Sequence, residues 1–126
     1  MIDATSFPDP ETALIAVIKA AAPTVFVSTV TPPTSQPQMV IVGYSGGGGR
    51  DWGEARGNAG INVYAPTDKE CKALVTTVQN ALAVASNDQI ERVAVPVGST
   101  GVPRQNPPFQ RYFVVTAHLR GQTVLA

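Results

Sequence analysis

The sequence predicts an α+β fold: one domain spanning 1–126, with an antiparallel or mixed sheet of about five strands and two helices packed on one of its faces. Three observations carry that expectation. Two stretches place apolar residues at helical spacing, and each has its own start and stop signals. Several β-branched runs alternate with a period of two. The elements follow in the order α-β-β-β-α-β-β, with no internal repeat and no compositional break between domains.

The first helix starts in Phe7-Pro8-Asp9-Pro10-Glu11. Asp9 can cap it, Pro10 suits a first turn that needs no N–H, and Glu11 complements the positive helix end. Leu14, Val17, Ile18 and Ala21 follow at helical spacing, Ile15 widens the apolar face, and Pro23 ends the helix. Val25 to Val30 is a β-branched run and reads as the first strand. The segment from Thr31 to Pro37 contains three prolines, which remove donors and fix φ, so it reads as a stiff connector.

A hairpin organised around Met39 to Ala65 comes next. Met39 to Ser45 reads as a strand, Gly46 to Ala55 as a glycine-rich loop, and Arg56 to Tyr64 as a strand in which Ala59, Ile61 and Val63 alternate with Asn58, Gly60 and Asn62. The loop carries four consecutive glycines before Arg50-Asp51-Trp52, too flexible to be held by its own chain. A tryptophan there needs a surface, and the expectation is that another subunit supplies it.

Thr67 and Glu70 have the spacing of a capping box, which opens the second helix. Cys71, Leu74, Val75, Val78, Leu82 and Ala85 form its apolar face, opposite Lys72, Thr76, Gln79 and Asn80; residues Ser86 to Gln89 end it. Ile90 to Val97 reads as a strand with Val93, Val95 and Val97 on one face, Pro96 marking its end or an edge. Gly98 to Pro108 is a second long loop, carrying Arg104 and Gln105. Gln110 to Arg120 is the last strand, with Phe113, Val115, Ala117 and Leu119 pointing one way and Tyr112, Thr116, His118 and Arg120 the other.

Composition narrows the function classes. Nine basic and nine acidic side chains cancel, so no overall charge drives the chain onto nucleic acid or an anionic membrane. Charged residues are only 14%, against roughly 25% in typical globular chains. No window approaches the roughly 18 apolar residues a membrane span needs. Low charge without such a span points to surface buried in an assembly. Met1 to Pro10 has two aspartates and no basic segment, unlike a secretory leader. The single cysteine, Cys71, falls on an apolar helix face and reads as a buried thiol, consistent with synthesis in a reducing cytoplasm.

Catalytic motifs fail on context. Gly43-Tyr44-Ser45-Gly46-Gly47 matches the G-x-S-x-G nucleophile elbow, with Asp51 or Asp68 and then His118 in the chain order of that hydrolase class. The elbow needs a serine on a turn entering a helix, and here glycines and a strand follow. The same region lacks the Lys-Ser/Thr pair and the helix of a phosphate loop. One His and one Cys cannot supply a zinc site, and the arginines do not cluster with stacking aromatics as a nucleic-acid platform would.

Taken in order, Phe7 to Glu11, the hydrophobic strand running into Gly48 to Asp51, Ile61 to Ala65 and the capped helix Thr67 to Leu82 resemble the tail terminator (neck) proteins of long-tailed bacteriophages, especially those infecting actinobacteria. That resemblance implies a non-enzymatic virion subunit, made in the host cytoplasm and requiring no cofactor. It implies a hexameric ring at the tail–neck junction that caps the tail tube, stops its polymerisation and meets the head-completion connector. Genomic DNA would pass through the ring without sequence-specific binding, and no membrane would be involved. A head-completion adaptor or a tube subunit of the same machine is the alternative, with a small serine hydrolase using Ser45 as a remote one. Ring closure needs a head-to-tail interface. Aromatic and arginine residues anchor such interfaces, which selects Arg50, Asp51 and Trp52 from the first loop and Arg104, Gln105 and Phe109 from the second.

Overall fold

The two helices begin where the caps place them. Asp9 accepts a hydrogen bond from the Thr12 amide at 3.1 Å and precedes α1 (Pro10–Ala21). Thr67 accepts from the Glu70 amide at 3.2 Å and precedes α2 (Asp68–Ala83). The computed structural model describes residues 3–32, 34, 36–46, 50–51, 54–103 and 108–125. Its strands are β1 (Asp3–Ser6), β2 (Phe26–Ser28), β3 (Met39–Gly46), β4 (Arg50–Asp51), β5 (Glu54–Ala65), β6 (Ile90–Ala94), β7 (Thr100–Val102), β8 (Phe109–Arg120) and β9 (Gln122–Leu125).

The main sheet has the order β2-β3-β5-β8-β6, with β4 also pairing β5 and β7 also pairing β8. Because β4 binds the side of β5 that β3 uses, and β7 the side of β8 that β6 uses, the short strands prolong existing columns. The sheet is therefore five columns wide, as the periodicity predicts, and mixed: β2 runs parallel to β3 and every other pair is antiparallel. Both helices lie on one face. Leu14 and Ile18 of α1 and Cys71, Val75, Val78 and Leu82 of α2 share one buried core with Ile61, Val63, Phe113, Val115 and Leu119 of the sheet.

Several expectations need correction. The strand expected over Val25 to Val30 is only three residues long. Ser28 Oγ accepts from the Val30 amide at 3.3 Å, a local turn that ends the strand and leaves Val30 exposed. Arg50 and Asp51 pair with Ala55 and Glu54, so part of the first loop is held by its own chain, and the following strand starts at Glu54 instead of Arg56. The strand expected to reach Val97 stops at Ala94. Val93 enters the core and Val95 packs partly against it, but beyond Pro96 the chain turns away and Val97 is fully exposed. Part of the second loop is strand β7. His118, expected on the wet face, is on the helix-free face as its phase requires, yet only 8% exposed. Strands β1 and β9 form a separate antiparallel ribbon, a pairing that the short terminal segments do not announce.

Candidate assembly interface

Of the six residues expected at an interface, the three described ones do not all come together. Arg50 and Asp51 pair with the first residues of β5, whereas Phe109 pairs with Ala65, the last one. At about 3.3 Å per residue, the twelve-residue β5 separates these points by on the order of 36 Å. The two segments therefore mark opposite poles of the subunit. Trp52, Arg104 and Gln105 lie outside the described residues. Phe109 is 43% exposed although its phase along β8 is that of the core, and it stands where the ladder ends.

Each pole is braced by an arginine of β8. At the Phe109 pole, Arg111 donates through Nε to Asp68 Oδ1 at 3.2 Å and through Nη1 to Ser99 Oγ at 3.3 Å. The Arg111 guanidinium holds the Asp68 carboxyl below its ordinary value, with smaller help from Lys72 at 3.3 Å. Gln79 Nε2 donates to the Gly98 carbonyl at 2.7 Å. The start of the second loop is thus tied to both α2 and β8. At the other pole, Arg120 donates through Nε to the Asn87 carbonyl at 2.8 Å and through Nη2 to Ser86 Oγ at 3.2 Å. Asn87 Oδ1 accepts from the amides of Gln89 and Ile90, each at 2.8 Å, which fixes the turn into β6.

Arg111 and Arg120 were not among the expected interface residues, and one signal was available. Arg111 shares the strand phase of Phe113 and Val115, so a cation there must meet an acid on the helix side, and Asp68 in the first turn of α2 is that acid. Cys71 lies under the same corner, fully buried, with Sγ 3.2 Å from the Val63 carbonyl. Burial pushes its thiol pKa up, which keeps it protonated and able to donate that bond.

The G-x-S-x-G match does not sit in an elbow. Ser45 is inside β3, beside the irregularity between Tyr44 and Gly46, and the chain continues into more strand. His118 is on β8, with β5 between them. Among the described residues, no three His, Cys, Asp or Glu side chains gather as a metal site.

No family model matches the sequence, and no curated protein does. Among solved structures, the chain is similar to one in the virion of a native gene transfer agent (GTA) particle, with a TM-score of 0.60 and 21% sequence identity over 84% of this chain and 86% of that one. The fold is shared with a virion chain. At that identity the likeness is one of fold.

Proposed function

We propose that this protein is a structural subunit of a phage-like virion, of the tail-terminator type: a non-enzymatic ring former, expected to be a hexamer, at the junction of tail and neck. The observation that carries this reading is the fold shared with a chain of the gene transfer agent virion over most of both chains. The order of motifs from Phe7 to Leu82 supports the narrower role. The opposed poles support it too, since a ring subunit between tube and connector has to offer contacts in two directions. Arg50 and Asp51 at one pole and Phe109 at the other, together with Trp52, Arg104 and Gln105 of the same two sequence segments, are the proposed contacts with neighbouring copies, the tail tube protein and the head-completion connector.

Tube-length measurement tests this role. Purified protein mixed with growing tail tubes should arrest them and appear as a ring on one end by electron microscopy. Filaments of the protein alone would identify a tube subunit, and binding to connectors without arrest would identify an adaptor. Within the ring, Trp52→Ala should weaken association by about 2 kcal/mol, the size expected for a buried aromatic anchor, without unfolding the subunit. An unchanged sedimentation profile would remove Trp52 from the interface.

A further inference from the structure

Charge is gathered at the two poles of the subunit. Between Lys19 and Arg50, between Arg56 and Asp68, and between Lys72 and Asp88 the chain carries no charged residue. Lys19 stands in the last turn of α1, which leads into Phe26 at the Phe109 end of the sheet. Lys69 and Lys72 stand in the first turns of α2 at that same end. With Arg111 they set four cations against two acidic residues, Asp68 and Glu70.

The Arg120 pole has the opposite balance. Asp88 and Glu91 lie on either side of Ile90, which pairs with Leu119 near the end of β8. Asp9 and Glu11 sit at the start of α1, which follows the ribbon that pairs Ser6 with Gln122, two residues past Arg120. With the acids of β1, β4 and the start of β5 they make seven acidic residues against four arginines. Among the described residues, Lys19 and Lys69 at one pole and Glu11, Asp88 and Glu91 at the other form no ion pair within the subunit.

The two surpluses do not neutralise each other within one subunit. They stand on the order of 36 Å apart along the ladder, whereas salt screens exposed charges beyond roughly 8 Å under physiological conditions. Each pole therefore acts on its own surroundings, and the surface complementary to either one is the other pole of a second copy. The helices set the register. α1 runs from the Arg120 pole to the Phe109 pole and α2 runs back, so end-to-end placement brings Lys19 of one copy to Glu11 of the next, and Lys69 to Asp88. We infer that copies associate pole to pole, the Lys19–Lys69 end of one against the Glu11–Asp88 end of the next. Such a contact is head-to-tail, and a small tilt repeated at each one closes the series into a ring. The premise that copies associate rests on the ring-forming role proposed above, and the inference names the charges that pair.

Charge reversal in the full chain tests it, read by sedimentation velocity and by ring formation on tail tubes. Lys19→Glu with Lys69→Glu, or Glu11→Lys with Asp88→Lys, should weaken association about ten-fold or more, because one pole then repels its unchanged neighbour. An equimolar mixture of the two double variants should restore it, since each altered pole meets an oppositely altered one. Raising salt from about 0.05 to about 0.5 M should weaken wild-type association as well. Lys69→Glu and Asp88→Lys as single variants, both at exposed positions, serve should a double variant fold poorly by circular dichroism. A mixture that stays dissociated although both variants fold would overturn the inference. So would wild-type rings indifferent to the substitutions and to salt, which would leave the ring role standing. Filaments that the same substitutions dissolve would support the pairing and overturn the ring role. Wild-type protein that never associates, alone or on tubes, would overturn both.

Discussion

Gly60 and Tyr112 make a quantitative test of the sheet face. Gly60 sits in the interior of β5 opposite Val114, and Tyr112, one row away on β8, leans across it. A Cβ at Gly60 would lie 2.9 Å from Tyr112 Cε2 and 3.0 Å from its hydroxyl oxygen. Carbon pairs settle at roughly 3.5–4.0 Å, so Gly60→Ala must push the ring outward by roughly 0.6–1 Å. Driving the tyrosine off its preferred rotamer costs about 0.5–1.5 kcal/mol. The alanine recovers about 0.5–1 kcal/mol from lower backbone entropy in the unfolded chain. In the wild-type background the two nearly cancel, with a net effect between about −0.5 and +1 kcal/mol of destabilisation. In a Tyr112→Ala background only the gain remains, so the same substitution should stabilise.

The double-mutant cycle, measured by urea unfolding with far-UV circular dichroism, should give a coupling of about 0.5–1.5 kcal/mol. With a slope near 2 kcal/mol per molar urea, that separates the midpoints by about 0.25–0.75 M. Gly43, directly opposite Gly60 on β3, would have no atom within 4 Å of an added Cβ and serves as the control. Gly43→Ala should shift the midpoint equally in both backgrounds. Equal effects of Gly60→Ala with and without the tyrosine ring would refute the close approach.

Other perturbations have defined outcomes. Asp68 has a folded pKa below its ordinary 3.8, chiefly through Arg111. Its contribution is therefore full above that value and is lost as pH falls through the folded pKa, because the unfolded chain binds more protons in that window. Asp68→Asn should flatten the acid side of the stability–pH profile and leave its slope near neutrality unchanged. Cys71, buried and with a raised pKa, should react with a thiol reagent at the rate of unfolding, and fast labelling under native conditions would contradict its placement. Thr67→Ala removes the cap of α2 and should cost about 1 kcal/mol in thermal or urea unfolding.

Periodicity and caps were enough to define both helices, the buried alternation of Ala59, Ile61 and Val63 in β5, and that of Phe113, Val115 and Leu119 in β8. These are local properties: the spacing of side chains around a helix or along a strand decides which of them can share a face. Tertiary structure decided what depends on neighbours distant in sequence. It placed β8 between β5 and β6, and β2 parallel to β3 at the edge. It turned Arg111 inward to Asp68, and set Arg50 and Asp51 at one end of the ladder and Phe109 at the other. No window of sequence contains that information, because strand order is selected by which edges complete each other's hydrogen bonds while burying one common core.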